Sequence, residues 1–231
     1  MNISTKKTII AVIFVIICTF SKLSAQVLPG APGVNLFCQG ADLTLPIAPT
    51  GEEWIVKYSA TQTTTPATGI TLVPGNKIPA ADLKTGYYYL SSKSTTPGAC
   101  ESELQEIPVY VLKPLLVDFA PANFCLESPL VQVGSVTNPD ATNIPDLAYQ
   151  WYTVDAGGVE TAISGVTTKD YTPSAPATVG TKKHRIKVGY VINGKNYCSQ
   201  TADHEITVTP KPVKPTITPG SITGTASAVT F

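Results

Sequence analysis

Apolar and polar side chains alternate along several short segments of this chain. In the clearest segment, 147–153, large or β-branched residues occupy every second position, namely Leu147, Tyr149, Trp151 and Thr153. A period of two is typical of a β-strand that buries one face. The pattern therefore predicts an antiparallel strand, with Tyr149 and Trp151 in a core.

Cysteines bracket this strand, with Cys125 upstream and Cys198 downstream. A cysteine, a strand tryptophan and a second cysteine form the sequence outline of an immunoglobulin-like β-sandwich. A weaker copy of the outline precedes it and consists of Cys38, Trp54 and Cys100. We therefore predict an all-β fold of tandem immunoglobulin-like β-sandwiches, with Trp54 in the core of the first.

The two halves of the chain also repeat at their ends. Phe37-Cys38 returns as Phe124-Cys125, and each half closes with an alternating strand followed by Lys-Pro, at 113–114 and at 211–212. Such repeats indicate tandem β-sandwich domains. The predicted division is a first domain at 26–112, a linker at 113–114, a second domain at 115–210 and a proline-rich linker at 211–215. We expect residues 216–231 to open a third repeat, or to form a strand that docks on the chain or on a neighbouring sheet edge.

Alternation and turn residues together predict short strands throughout both halves. The predicted strands lie near 42–46, 53–59, 69–73, 86–92 and 103–112, and near 116–119, 130–133, 147–154, 169–172, 181–192 and 195–209. Between the last two, Asn193-Gly194 predicts a two-residue hairpin turn, because a type I′ turn needs positive φ at both positions.

Three consecutive tyrosines, Tyr87, Tyr88 and Tyr89, follow the segment 81–86. Residues 81–89 together resemble a tyrosine corner, in which a Tyr hydroxyl satisfies nearby backbone groups at the start of a strand. A platform that stacks on a sugar ring is the alternative, but three consecutive strand residues do not share one face. We predict that Tyr88 belongs to the core.

The N-terminus predicts export from the cell. Basic residues precede an apolar run at 9–20, and small residues follow at 24–25, which is the pattern of a secretory signal peptide at 1–25. The apolar run is shorter than the roughly 20 residues that cross a bilayer. Lipid modification of Cys18 is the alternative, although Ile17 stands where bacterial lipoprotein signals have a small residue.

Removal of the signal peptide leaves four cysteines. An even number in a secreted chain predicts two disulfides. The repeat selects the pairs Cys38–Cys100 and Cys125–Cys198, with one bridge in each domain. No Cys-x-x-Cys pair is present in the sequence to indicate a metal or redox site.

The charge and the motifs favour no enzymatic chemistry. The mature chain has a net charge of −3 and a single arginine, Arg185, so nothing indicates a nucleic-acid partner. The sequence has only two histidines, His184 and His204, and it has no nucleophile elbow, phosphate-binding loop or zinc motif. We predict a protein that is not an enzyme and needs no cofactor or metal, although paired carboxylates need only proximity in space.

Two segments have alternative interpretations. The loop 138–146 carries two carboxylates and two amides, which are calcium ligands, but it lacks clustered acidic spacing and also fits an ordinary proline-bounded loop. A basic stripe of Lys183, Arg185 and Lys187 suits an anionic glycan. We favour a solvated outer face, with His184 packed between them.

The motifs of the second half resemble the immunoglobulin-like repeats of large surface adhesins from bacteria of the Bacteroidetes type. The motifs are Phe124-Cys125, Tyr149-Gln150-Trp151-Tyr152, Asp170-Tyr171-Thr172-Pro173, Val179-Gly180-Thr181 and Tyr197-Cys198. One departure is His184, which stands where the family often has a tyrosine. The resemblance implies repeats that stack as stalk and binding modules. Such adhesins often carry a C-terminal sorting domain, and none is visible, so we expect a piece of a longer array.

These observations predict a secreted or cell-surface structural and adhesive module. Its expected partners are other domains of a longer chain, or an extracellular protein or glycan. The first alternative is a carbohydrate-binding accessory module of a secreted polysaccharide-active protein. The second is a fibre subunit that exchanges its C-terminal strand, 216–231. A β-sandwich hosts many functions, so the fold does not identify the ligand.

Overall fold

The computed structural model describes residues 26–175 and 177–216. Within these ranges the chain forms fourteen β-strands and no helix, which confirms the predicted all-β fold. The described residues thus include no helix that is long and apolar enough to cross a membrane. The predicted signal peptide, 1–25, and the predicted C-terminal segment after Thr216 lie outside the described residues.

The strands are, in chain order, β1 (Asn35–Cys38), β2 (Leu43–Thr44), β3 (Glu52–Ser59), β4 (Thr68–Ile70), β5 (Lys77–Ile78), β6 (Gly86–Ser94), β7 (Gln105–Leu112), β8 (Leu116–Ala120), β9 (Phe124–Cys125), β10 (Val133–Thr137), β11 (Leu147–Val154), β12 (Glu160–Ala162), β13 (Gly180–Ile192) and β14 (Lys195–Thr209). Most predicted strands are present within one or two residues. The predicted strand at 169–172 is reduced to a single bridge between Tyr171 and Gln132.

The chain packs as two compact units. The first contains residues 26–117, Val136–Tyr149 and Lys187–Thr201, and the second contains Asp118–Ser135, Gln150–Ile186 and the described residues from Ala202 onward. The predicted contiguous domains, 26–112 and 115–210, do not coincide with these units. The difference arises because the turn end of the β13–β14 hairpin packs with the first unit.

The first unit has the strand order of an immunoglobulin-like sandwich. One sheet has the order β1-β7-β6-β3-β4, and β2 pairs with β5 in a separate two-stranded sheet. The hairpin strands β6 and β7 and the strand β3 correspond to strands F, G and C of that fold. The first strand, β1, runs parallel to the last, β7, with Cys38 opposite Leu112.

The core of the first unit comes from the inward-facing residues of these strands. Its buried members are Leu43, Leu45, Val56, Ile78, Leu83, Tyr88, Leu90 and Val109. Trp54 is half-buried rather than fully buried, and it packs against this core while its indole N–H donates to the carbonyl of Pro46 at 2.8 Å. The predicted core role of Tyr88 is confirmed, since the side chain is only 1% exposed.

Tyr88 also confirms the predicted tyrosine corner. Its hydroxyl accepts the N–H of Lys84 at 2.8 Å and donates to the carbonyl of the same residue at 3.2 Å. The first residue of β6, Gly86, has no room for a side chain, because a Cβ there would lie 2.6 Å from the carbonyl oxygen of Ser59 and from the ring of Tyr58. Tyr88 thus belongs to the core of the first unit, and Tyr87 and Tyr89 are also buried, so the three rings do not form an exposed platform for a sugar.

The second five-stranded sheet has the order β12-β11-β13-β14-β9. It matches the first sheet strand for strand, and its short strand β9 again runs parallel to the last strand, β14. Trp151 lies at the centre of β11 and is fully buried, as predicted, whereas Tyr149 is half-buried. The turn Asn193-Gly194 has φ values of 50° and 74°, which confirms the hairpin turn with two left-handed residues.

The core of the second unit is aromatic. The ring of Trp151 contacts Phe119 edge-on at 4.8 Å between centroids and Tyr171 at 5.4 Å. A buried amide supports it: Gln132 accepts the N–H of Ala122 and donates to the carbonyl groups of Ala122 and Leu130. Because every polar atom of this amide is paired, burial of Gln132 is not costly.

Candidate functional site

The described residues contain one disulfide, and it is not one of the predicted pairs. Cys38 and Cys198 are joined, with 5.4 Å between their Cα atoms and a sequence separation of 160. Cys100 and Cys125 are free thiols and both are exposed. The predicted pairs Cys38–Cys100 and Cys125–Cys198 are therefore wrong in this structure.

The parallel pairing of β1 with β7 explains why Cys38 does not reach Cys100. Cys38 lies beside Leu112, the last residue of β7, whereas Cys100 precedes the first residue of that strand. At about 3.3 Å per residue, the first and last residues of the eight-residue strand β7 are roughly 23 Å apart. A disulfide needs Cα atoms within about 7 Å, so the two thiols are too far apart.

The same reasoning applies to Cys125 and Cys198. Cys125 lies beside Thr209, the last residue of β14. Cys198 is the fourth residue of the same fifteen-residue strand. Eleven residues of extended strand span on the order of 35 Å, which excludes a bond between them. The sequence did not predict the short parallel strands β1 and β9, because a segment of two to four residues is too short to show an alternating pattern.

Cys38 and Cys125 occupy equivalent backbone positions. The N–H of the next residue donates to the carbonyl of the last strand residue in each case, Gln39 to Leu112 at 2.8 Å and Leu126 to Thr209 at 3.0 Å. Each cysteine carbonyl then accepts an N–H three residues later, at 3.0 Å for Cys38 and 2.8 Å for Cys125. We call these two residues the strand-end cysteines.

Cys100 and Cys198 each lie a few residues after a glycine with positive φ, Gly98 at 82° and Gly194 at 74°. Their backbone positions differ, because Cys100 precedes β7 whereas Cys198 is the fourth residue of β14 and itself has a φ of 49°. Cys100 is held there because Glu101, the next residue, bridges to Lys93 on β6. We call Cys100 and Cys198 the hairpin cysteines. The disulfide thus joins one strand-end cysteine to one hairpin cysteine.

The loop 138–146, considered above as a calcium loop, is ordered by its own hydrogen bonds. Asp140 is 7% exposed, and its carboxylate accepts the N–H of Lys113 at 2.8 Å and the Tyr110 hydroxyl at 3.4 Å. The amide of Asn138 donates to the carbonyl of Ile144. The side chains of Asn138 and Asp140 are therefore engaged in hydrogen bonds that order the loop within the first unit.

Two tyrosines complete this polar cluster. The Tyr190 hydroxyl donates to the carbonyl of Lys113 at 3.0 Å and lies 3.4 Å from Asp140, and the Asn143 amide donates to the Tyr110 hydroxyl at 3.2 Å. Burial and the nearby Asp140 carboxylate hold the pKa of Tyr190 well above its usual value. The cluster ties the turn half of the β13–β14 hairpin to the end of β7.

The second unit contains a small cavity of about 190 Å³. Its lining includes Phe124, Tyr171, Lys182, His184, Ile206 and Val208. His184 is 8% exposed, and its Nδ1 lies 3.1 Å from the carbonyl of Lys182, to which the ring donates. Burial holds the pKa of His184 below its usual value. His184 is therefore packed, as expected, and it does not form a tyrosine corner.

The basic stripe is only partly a free solvated face. Arg185 binds both oxygens of Asp203 at 2.5 Å and donates to Glu160 at 2.5 Å. The guanidinium holds the pKa of Asp203 below its usual value. Because both flanking carboxylates neutralise Arg185, the centre of the stripe is not an anion site.

The exposure of aromatic side chains is relevant to the alternative prediction, a carbohydrate-binding module. All ten tyrosines and both tryptophans lie among the described residues, and each is buried or half-buried. Stacking on a sugar needs an exposed ring face, so this surface does not favour glycan recognition through Tyr or Trp.

Within residues 26–175 and 177–216, no group of three or more His, Cys, Asp or Glu side chains is placed to hold a metal ion. His204 forms a pair with Asp118 at 2.7 Å, and its ring packs edge-on against Phe119. The pair holds the pKa of Asp118 below its usual value. A histidine–carboxylate pair needs a nucleophile within hydrogen-bond reach to act in covalent catalysis, so this pair alone does not indicate an active site.

No protein-family model and no curated protein matches this chain. Among solved structures, the N-terminal four Ig domains of Dscam1 isoform 7.44 are similar over 78% of this chain and 45% of that one, at 14% identity and a TM-score of 0.31. The fibronectin(III)-like modules of Clostridium thermocellum CbhA are similar over 79% of this chain and 93% of that one, at 14% identity and a TM-score of 0.36. The chain thus spans less than half of the Dscam1 structure. The assignment of an immunoglobulin-like fold to this chain rests on its own strand order.

Proposed function

We propose that this chain is an exported, non-enzymatic structural module of the cell surface, whose sandwich-end loops contact an extracellular partner. The disulfide supports export, because such bonds persist in oxidising compartments and are rare in the cytosol. The signal-peptide pattern at 1–25 favours the same compartment.

The observation that carries the structural role is the position of the Cys38–Cys198 bond. Tension applied to the two ends of the chain passes through this bond, so the residues between the two cysteines are not extended. This position of the bond suits a spacer that keeps its length under load.

Single-molecule stretching tests this role directly. A chain of residues 26–231 would be held by its two ends and extended with and without a reductant. At about 3.5 Å per residue, the sequence separation of 160 between the bonded cysteines corresponds to roughly 560 Å of contour length. We expect that length to appear only after reduction. Equal contour lengths in both conditions would remove the mechanical basis of the proposal.

Surface exposure tests the location separately. Antibodies raised against residues 26–216 should label intact cells of the source organism, and brief protease treatment of those cells should remove the signal. A cytosolic control protein should stay intact. A signal that appears only after cell lysis would contradict the cell-surface role, whatever the stretching experiment shows.

A further inference from the structure

We propose that the cavity of the second unit binds a phenol ring, and that a tyrosine side chain of an extracellular protein supplies this ring. The inference rests on the proposed function in one respect, because it assigns one contact between the end of a sandwich and a partner. The cavity lies where β11 ends, β13 begins and β14 ends, so it is at the end of the second sheet away from the turn Asn193-Gly194.

Two buried side chains in the cavity wall each have a polar atom without a partner. His184 and Tyr171 are 8% and 9% exposed, and their rings lie 6.0 Å apart between centroids. Within residues 26–175 and 177–216, no hydrogen bond reaches the Nε2 atom of His184 or the hydroxyl of Tyr171. No fully buried side-chain nitrogen or oxygen in those ranges lacks a partner, so both atoms are accessible. Because both residues line the cavity, a molecule inside it can reach these atoms.

The hydrogen bond of His184 determines which group a ligand must offer. Its Nδ1 lies 3.1 Å from the carbonyl oxygen of Lys182, and a carbonyl only accepts, so Nδ1 carries the proton. Burial lowers the pKa of His184 and favours the neutral ring, in which Nε2 accepts a hydrogen bond. A matching ligand therefore brings an O–H or N–H donor. A carboxylate has no donor and would face the lone pair of Nε2.

The size and the apolar part of the wall limit the body of the ligand. The cavity has a volume of about 190 Å³, and a cavity of about 150 Å³ in another protein holds benzene. Phe124, Ile206 and Val208 contribute apolar surface. A sugar ring would place hydroxyl groups against these side chains and leave the hydroxyls without partners. An aromatic ring with one hydroxyl group, a phenol, suits both the apolar wall and the Nε2 atom.

A polar groove continues from the cavity and suits the backbone of a polypeptide. The groove has a volume of about 540 Å³ and shares Thr153 and Lys182 with the cavity. Asp155, Lys183 and Glu205 also line the groove. Its two acidic and two basic side chains balance, so the groove offers both donors and acceptors and favours no net charge in a ligand. The peptide groups on either side of a tyrosine would find hydrogen-bonding partners there. The groove therefore favours a tyrosine within a polypeptide over a free phenol.

Titration with small probes tests the ring site on the chain of residues 26–231. The probes are 4-methylphenol, which has the structure of a tyrosine side chain, toluene, which lacks only the hydroxyl group, and benzoate. Ligand-detected NMR measures the affinities, and the nitrogen chemical shift of Nε2 in His184 reports the contact. We expect 4-methylphenol to bind at least about fivefold more tightly than toluene, as one net hydrogen bond provides. Benzoate should not bind, and 4-methylphenol should shift the Nε2 resonance.

Variants remove the polar atoms and the space one at a time. Tyr171→Phe and His184→Phe keep an aromatic ring, and each should weaken the binding of 4-methylphenol about fivefold without an equal loss for toluene. Ala177→Leu extends a side chain into the cavity and should abolish binding of both probes. Tyr197→Phe is the matched control, because it removes a hydroxyl group outside the cavity lining. Tyr171→Phe keeps the test decisive if His184→Phe lowers stability, since it removes one oxygen from a ring of the same shape.

Equal affinities for 4-methylphenol and toluene, or affinities that Tyr171→Phe and Ala177→Leu leave unchanged, would overturn the ring site. The pentapeptide Gly-Gly-Tyr-Gly-Gly tests the partner, with Gly-Gly-Phe-Gly-Gly as its control. We expect the tyrosine peptide to bind at least as tightly as 4-methylphenol and the phenylalanine peptide to bind more weakly. Binding of 4-methylphenol without the tyrosine peptide would overturn the attachment of a partner. None of these results changes the stretching or surface-labelling experiments, so failure of this site is distinguishable from failure of the proposed function.

Discussion

The Oδ2 atom of Asp140 lies 2.8 Å from the backbone nitrogen of Lys113 and accepts its hydrogen bond. The same buried carboxylate also receives the Tyr110 hydroxyl. Replacement by Asp140→Ala leaves these donors without an acceptor. We expect a loss of about 2–4 kcal/mol in the free energy of unfolding, because an unpaired buried donor bears its full desolvation cost. Urea denaturation followed by tryptophan fluorescence measures it.

Asp146→Ala is the matched control for that variant. Asp146 belongs to the same loop, but its side chain is exposed, and it contributes a backbone carbonyl that accepts the N–H of Val191. We expect a change within about 0.5 kcal/mol. Equal losses in both variants would mean that the loop as a whole, and not the buried carboxylate, stabilises this part of the unit.

Gly134 lies so close to a neighbouring backbone that no side chain fits. A Cβ on it would lie 2.3 Å from the carbonyl oxygen of Lys169. Gly134→Ala should therefore displace one of the two segments and cost at least about 2 kcal/mol, as overpacked sites do. Gly69→Ala is the control, because no atom lies within 4 Å of its Cβ position. That substitution should be neutral or slightly stabilising, and a cost equal to that of Gly134→Ala would contradict the packing argument.

The sequence predicted the strands whose residues alternate over seven or more positions. The strands β3, β6 and β11 contain the predicted tryptophans and tyrosines, and the tyrosine corner at Tyr88 follows from its local motif. Such features depend on short-range pattern, which period and turn chemistry capture. Tyr149 is half-buried because membership of a face does not by itself determine the depth of burial.

The disulfide could not be predicted in this way. The register of the two-residue strand β9 and the four-residue strand β1 places the strand-end cysteines at the far ends of the last strands. The packing of residues 187–201 with the first unit depends on contacts such as that of Tyr190 with Lys113, which are 77 residues apart. Long-range pairs of this kind leave no periodic signal in the sequence.

His184 gives the stability of the second unit a predictable pH dependence. Burial beside Tyr171 and the charge of Lys182 lower its folded-state pKa, while the hydrogen bond from its ring to the Lys182 carbonyl opposes them. The unfolded chain therefore binds the proton more readily. The stabilising contribution is complete above the unfolded pKa of about 6.5 and is lost as the pH falls from there through the lower folded value.

We expect the free energy of unfolding of the unsubstituted chain to fall between pH 7.5 and pH 5, and to fall less in a His184→Gln variant. Urea denaturation across this range measures both. His204→Gln is the control, since His204 lies at the surface beside Asp118. An identical pH profile for the unsubstituted chain and His184→Gln would show that the buried imidazole does not contribute to the dependence.

The contribution of the Cys38–Cys198 bond to the free energy of unfolding distinguishes the observed disulfide pairing from the pairing that the sequence predicted. A loop of 160 residues removes about 5 kcal/mol of unfolded-state entropy on the chain-entropy model. Cys38→Ser should lower the free energy of unfolding by up to that amount, and reductant should have little further effect on the variant.

Cys100→Ser should change the stability of the monomer by less than about 0.5 kcal/mol, because Cys100 is an exposed free thiol. A large loss in Cys100→Ser under oxidising conditions would instead support a Cys38–Cys100 bond, since removal of either partner then opens the same loop. Denaturation of both variants at low protein concentration, where chains do not cross-link, distinguishes the two pairings.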